Sequence, residues 1–356
     1  MRSGRTARKI ALLGGATLLA LGAAEAVARV VFRPAGTTSL RLLLPDGSAA
    51  PLAEGFHYLY HYTEREREEP GPRGRLPSSF RQRIAYDRPT WDYFDADGAV
   101  VAATNALGFR DLEFTVDKPP GQFRIMALGD SFTYGLGVPL EASWPQLLEA
   151  GLGGTDGGIE VINAGWPNTA PGDYAPWFAG DGVRFAPDLV VLALCLNDLA
   201  PVPMLAYPIA DPEPWLGGIS VLLDRLQREL EQRRLIAEPR DHAAMVDADP
   251  SQWDATQDGI LAIRDAAAGA GAGFALVVLP MMSGLGPGYP YRRMHAMVDA
   301  FARREGLTCL DLLPAFEGLA ERDLWVHSHD QHPNHLGQRR IAEAIEAGLR
   351  AGGLLR

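Results

Sequence analysis

Four short blocks of this 356-residue chain hold residue types that can do chemistry together. Gly129-Asp130-Ser131 supplies a hydroxyl beside a carboxylate. Asn163-Ala164-Gly165-Trp166 supplies a backbone N–H with no side chain in the way. Cys195-Leu196-Asn197-Asp198 supplies a side-chain amide, and Asp330-Gln331-His332-Pro333-Asn334-His335 an imidazole with a carboxylate two residues upstream. A serine hydroxyl is a weak nucleophile until an imidazole accepts its proton, and that imidazole needs an acid to hold its tautomer. The oxyanion formed on attack at a carbonyl needs donors aimed at it. The Ser131 and Gly165 N–H groups and the Asn197 amide are of the right kind. Taken singly, Gly-Asp-Ser is a common turn or helix N-cap, and Asn-Asp a common loop start. Their weight lies in the elements that carry them.

From Phe123 onward, short apolar runs alternate with helical stretches. The strand candidates are Phe123–Leu128, Ile159–Asn163, Leu189–Leu194, Ala275–Leu279 and Leu307–Leu312. Helical patterns lie around 143–152, 171–183, 218–234, 254–269, 290–305 and 335–351. Non-alternating apolar strands separated by helices predict a parallel sheet of about five strands covered on both faces, a three-layer α/β/α domain over 122–356. In such a sheet the ligand crevice lies at the carboxyl ends of the strands. Three of the four blocks directly follow a strand candidate, and the fourth precedes the last helix. Pro201–Leu216 and Ala237–Ser251 read as insertions positioned to line a pocket. Residues 33–121 are irregular, with short alternating pieces at Arg83–Tyr86 and Ala99–Ala102 and a turn at Asp97-Gly98, which predicts a small β-rich addition. The charge run Glu64–Glu69 reads as a solvated loop.

In order and spacing the four blocks resemble the SGNH (GDSL-type) hydrolase superfamily over roughly 230 residues. The resemblance implies a flavodoxin-like α/β/α fold and ester-bond hydrolysis without metal or organic cofactor. It implies Ser131 as nucleophile, His332 as general base, and Ser131, Gly165 and Asn197 as the oxyanion hole. Asn105-Ala106-Leu107-Gly108-Phe109-Arg110 and the N-terminal segment resemble a bacterial envelope branch. This chain departs from the pattern twice. Cys195 stands where the third block usually has glycine, and the usual place of the acid, three residues before the histidine, holds His329. Asp330 is the acid expected here, with a Ser–His dyad, Asp323 and Glu321 as the rivals. In an extended segment residues two apart point the same way, so Asp330 reaches the ring only if the chain bends there.

Other classes lose their support. The α/β-hydrolase elbow G-x-S-x-G is absent, because Thr133 fills its last position. No phosphate-binding glycine motif stands at a strand–helix turn. A net charge of −11 lacks the footprint for nucleic acid phosphates. His327, His329, Asp330, His332 and His335 crowd together, but their order misses the common metal-ligand spacing. Cys195 and Cys309, the two cysteines, read as small apolar residues, and nothing in the sequence demands that they pair.

Residues 1–9 carry Arg2, Arg5, Arg8 and Lys9 without an acid, and Ile10–Ala24 is then uninterrupted by charge. That pattern predicts an export signal or, extended over 10–32 with Glu25 and Arg29 paired, a membrane anchor. The positive-inside rule then places the working part outside the cytoplasm. The expected partners are the membrane and a small-molecule, glycan or lipid ester. Two other readings stay open: an O-acyltransferase using the same residues on a glycan, and a silent glycan- or lipid-binding module that kept the fold.

Overall fold

The computed structural model describes residues 2–31, 40–43, 49–51, 72–86, 89–200, 220–223, 242–327 and 330–355. The chain divides into two compact units, Met1–Thr38 with Tyr207–Pro239, and Ser39–Ala206 with Arg240–Arg356. In the first unit, helix α1 (Arg2–Val31) carries the expected Glu25–Arg29 pair at 2.7 Å. Glu25 also accepts from Ser220 Oγ (2.7 Å) and from the Val221 and Leu222 N–H groups, which hold its carboxyl at about 2. The expected membrane anchor over 10–32 finds no support, since no helix among the described residues is long and apolar enough to cross a membrane. The Glu64–Glu69 run, the Pro201–Leu216 insertion and most of the expected helix at 218–234 lie outside the described residues.

The second unit is built on a five-stranded sheet of β5 (Phe123–Gly129), β6 (Ile159–Gly165), β7 (Leu189–Cys195), β8 (Gly273–Leu279) and β9 (Cys309–Asp311). All four pairings are parallel and the order is β6-β5-β7-β8-β9. Every residue of β7 is buried, which is why its sequence shows no alternation. Helices α3 (Trp144–Gly151), α4 (Pro171–Gly180), α6 (Ser251–Gly269), α7 (Arg292–Arg304) and α9 (His335–Ala351) flank the sheet, and the short α8 (Leu313–Phe316) follows β9. The expected three-layer α/β/α fold is present. From the second expected insertion, α5 (Ala243–Ala248) contributes Ala243 and Val246 to the core.

The order places the reversal of direction between β5 and β7, the position where such sheets open a crevice. Cys195 and Cys309 are free thiols. Their strands are separated by β8, about 9–10 Å apart laterally, whereas a disulfide needs Cα atoms within about 7 Å.

Ahead of this sheet, β1 (Leu40–Leu43), β2 (Ala49–Pro51), β3 (Arg81–Tyr86) and β4 (Ala99–Ala103) form an antiparallel sheet in the order β2-β1-β3-β4. The expected turn at Asp97-Gly98 carries positive φ at Gly98 (73°). The segment after β4 is tied to the main sheet by buried polar groups. Asn105 Oδ1 accepts from the Leu107 and Phe109 N–H groups, each at 3.0 Å, and so shapes the turn that delivers Arg110 and Asp111. Asp111 accepts from Asn163 N–H of β6 (2.8 Å) and from Gln146 Nε2 of α3 (2.6 Å).

Burial pushes the Asp111 carboxyl up to about 8 despite hydrogen bonds from the Asn163 and Leu112 N–H groups, with Glu149 and Glu160 adding to the rise. The folded chain therefore keeps a proton that the unfolded chain releases near the ordinary aspartate value. The stability contributed by this group falls as pH rises from about 4 to about 8 and levels off above that. Urea midpoints measured across this range should decline with pH. Asp111→Asn should flatten the slope above about pH 6, whatever it does to the midpoint itself.

Candidate active site

Ser131 opens a four-residue helix, α2 (Ser131–Tyr134), at the carboxyl end of β5. Asp130 caps it, its Oδ1 accepting from Phe132 N–H at 2.9 Å, and Gly135 closes it with φ 78°. Such a short helix has little stability of its own, and its neighbours hold it. The buried Arg110 guanidinium donates to the carbonyls of Tyr134 and Val138, both at 2.5 Å, placing a cation at the carboxyl end of α2. Gln338 of α9 donates through Nε2 to the Phe132 carbonyl (3.2 Å) and accepts from Trp144 N–H (2.8 Å). The Asn-x-x-Gly-Phe-Arg segment is thus a structural clasp on the serine turn.

His332 and Asp330 stand on β11 (Asp330–Pro333), which pairs with β10 (Trp325–His327). The pairing joins Trp325 to Pro333 and His327 to Asp330, so the register shifts by one residue between them. This bulge bends β11 where an unbroken strand would hold the Asp330 carboxylate beside the ring rather than against it. Asp330 Oδ1 lies 2.5 Å from His332 Nδ1 and accepts from the His332 backbone N–H at 3.0 Å. The other ring nitrogen, Nε2, lies 2.8 Å from Ser131 Oγ. Asp330 and His332 are 0 % and 1 % exposed, whereas Ser131 is 8 % exposed, so only the serine end of this chain of contacts meets solvent. Burial alone would raise the Asp330 carboxyl. The imidazole, the His332 N–H and the Tyr86 hydroxyl outweigh it and hold Asp330 below the usual carboxylate value. Asp323 and Glu321 stand elsewhere, Asp323 accepting through its backbone carbonyl from Asn334 Nδ2 (2.8 Å) and Glu321 accepting from Gly284 N–H. His329 lies outside the described residues.

Of the expected oxyanion donors, the Gly165 N–H also donates to Asn163 Oδ1 at 3.0 Å. Gly165 serves by lacking a side chain: a Cβ there would lie 2.6 Å from Thr133 C and 2.7 Å from Tyr134 Cα and would press on Tyr134 N. Asn197, at the carboxyl end of β7, is half-buried, and its backbone carbonyl accepts from Gln252 Nε2 (2.6 Å). The Cys195 side chain turns into the core, with Sγ 3.7 Å from Met281 Sδ, and leaves the Asn197 turn clear.

Sequence reasoning missed two features. Tyr86 of β3 donates to Asp330 Oδ2 at 2.8 Å across 244 positions of sequence, which no local pattern signals. Asp130 and Asp198 form a buried acidic pair, legible in the sequence only as the acids of the first and third blocks. Burial raises Asp130 to about 6, against the Phe132 N–H, the His332 ring and the Asn197 side chain, and burial with Asp130 nearby raises Asp198. No group of His, Cys, Asp or Glu among the described residues is arranged to hold a metal ion. His335 instead lies against Trp91 and Tyr93, with ring centroids 5.2 and 5.4 Å away.

A serine turn, an imidazole and a buried carboxylate at the reversal point of a parallel α/β/α sheet define a hydrolase class. The GDSL-like lipase/acylhydrolase family model matches residues 127–340, and the chain belongs to that family of ester-cleaving hydrolases. Among solved structures it is similar to an acetylxylan esterase from Geobacillus stearothermophilus (16 % identity, 65 % of this chain and 96 % of that one, TM-score 0.42). It is also similar to an α/β hydrolase from the metagenome of Lake Arreo, Spain (19 %, 66 % and 96 %, TM-score 0.42). A two-domain esterase active on acetylated mannans is similar at 14 % identity over 65 % of this chain and 50 % of that one, TM-score 0.41. No curated protein matches the chain.

Gly165→Ala should force α2 away from β6, because the atoms in its way are backbone. The expected loss is about 1–3 kcal/mol, read as a lower urea midpoint, with activity falling alongside.

Proposed function

We propose that the protein cleaves carboxylic esters, acyl or acetyl, through an acyl-serine intermediate. The observation that supports this reading is the run of contacts from Ser131 Oγ through His332 Nε2 and Nδ1 to Asp330 Oδ1, at 2.8 and 2.5 Å. His332 Nε2 takes the hydroxyl proton as Ser131 Oγ bonds to the carbonyl carbon. The imidazolium returns that proton to the departing alcohol, and water repeats the sequence to release the acid. Asp330 holds the Nδ1 proton and faces the positive ring. The oxyanion is received by the Ser131 N–H, at the start of α2 where N–H groups lack helical partners, and by the Gly165 N–H and the Asn197 amide. Gly165 lets these elements approach.

Ser131→Ala should abolish turnover while the urea midpoint stays close to that of the parent. Near-normal ester hydrolysis by the purified variant would remove Ser131 from the mechanism. Asn197→Ala should lower kcat by about 10²–10³, the usual weight of one oxyanion donor. A loss confined to KM would make Asn197 a substrate-binding residue.

We propose glycan or small-molecule esters as substrates and an extracytoplasmic location, the latter supported by the basic residues 2–9 ahead of the apolar run Ile10–Ala24. Assays on acetylated glycans and on short and long acyl esters test the first. Cell fractionation tests the second, and recovery of the full-length chain from the cytosol would overturn it.

A further inference from the structure

We infer that Tyr86 is a positioning residue of the catalytic acid, so that the antiparallel sheet ahead of the hydrolase domain completes the active site. This rests on the Ser131–His332–Asp330 reading above. Asp330 is wholly buried, and its two oxygens have different partners. Oδ1 meets the His332 ring and backbone N–H, while Oδ2 receives the Tyr86 hydroxyl at 2.8 Å. A carboxylate held at one oxygen only can swing about its Cβ–Cγ bond. Held at both, it presents one lone pair to Nδ1. Tyr86 is itself fixed: it is buried, and its ring lies 5.2 Å from that of Phe94 and 5.7 Å from that of His327. A Cβ on Gly137 would come within 2.5 Å of the Tyr86 hydroxyl, so that side is closed as well.

The β3–β4 connection strengthens the grip. Trp91 Nε1 donates to the Trp325 carbonyl at 2.8 Å, and Asn334 Nδ2 reaches the same oxygen at 3.1 Å. The base of the β10–β11 hairpin is therefore held from β3, from its connection to β4, and from the start of α9. Among the described residues, the titratable groups facing the Asp330–His332 pair are Tyr86 and Tyr93 from this N-terminal part, Asp130 from the end of β5, and His327, the residue of β10 paired with Asp330. Of these, Tyr86 donates a hydrogen bond to the acid.

The test uses the full chain after Ser131→Ala has been shown to abolish turnover; if Ser131→Ala stays active, the triad reading itself fails. Tyr86→Phe keeps the ring and removes the donor. It should lower kcat by about two- to tenfold, the weight of one hydrogen bond. It should also move the acidic limb of the kcat/KM profile to higher pH, because Asp330 then keeps more negative charge facing the imidazolium. The low-field proton resonance of His332 Nδ1–H should shift as well. Site-specific replacement of Tyr86 by 3-fluorotyrosine, a stronger donor that retains the contact, should move the limb to lower pH. That variant decides the matter if Tyr86→Phe does not fold. A kcat, pH profile and proton resonance unchanged in either variant, or a loss of stability with the profile unmoved, would overturn the inference and leave Tyr86 a packing residue.

Discussion

The Asp330 carboxylate is removed from water entirely, and an ionised carboxylate in that position is tolerable only if its lone pairs are met by hydrogen bonds and an opposing charge. Much of the local architecture answers that requirement. The bulge in β11 turns the carboxylate toward the His332 ring and backbone N–H, and β3 brings the Tyr86 hydroxyl to its second oxygen. Without the antiparallel sheet, Oδ2 would be a buried acceptor without this donor. The hydrolase domain and the N-terminal addition therefore meet at the site rather than merely lying beside one another.

The serine turn obeys a different constraint. Four helical residues cannot hold themselves, so α2 is gripped by neighbours. Arg110 takes two carbonyls at its carboxyl end, Gln338 takes a third, and the missing side chain at Gly165 lets β6 come close. The result is a hydroxyl whose direction is set by three separate elements. Rigid support of this kind keeps the Ser131 hydroxyl 2.8 Å from the His332 imidazole.

This arrangement concentrates ionisable groups in the interior. Arg110, Asp130, Asp198 and Asp330 are buried, and Asp111 half-buried, around the carboxyl ends of the strands and the clasp beneath them. Burial raises Asp111, Asp130 and Asp198, and these groups make the fold less stable as pH rises. Asp330 is held low by its partners, which preserves the charge that faces the imidazole. Opposite shifts of neighbouring carboxyls are how one crevice keeps one acid ionised among several that favour their protons.

The sequence by itself determined the five parallel strands, most of the flanking helices, the β3 and β4 strands with their turn, and the side chains that meet at the crevice. It did so because burial on both sheet faces selects unbroken apolar runs, and because each chemical block sits at a strand end within a few residues of that run. Choosing Asp330 over its rivals needed the bulge, which depends on how β10 and β11 pair. Only the tertiary structure decided that the Gly165 N–H donates to Asn163, that Cys195 turns inward toward Met281, and that β8 keeps the two cysteines apart. Only it joined Tyr86 to Asp330. Strand patterns encode which side of a residue is buried, but not which distant residue shares its pocket, and a contact spanning 244 positions exists only once both sheets have formed.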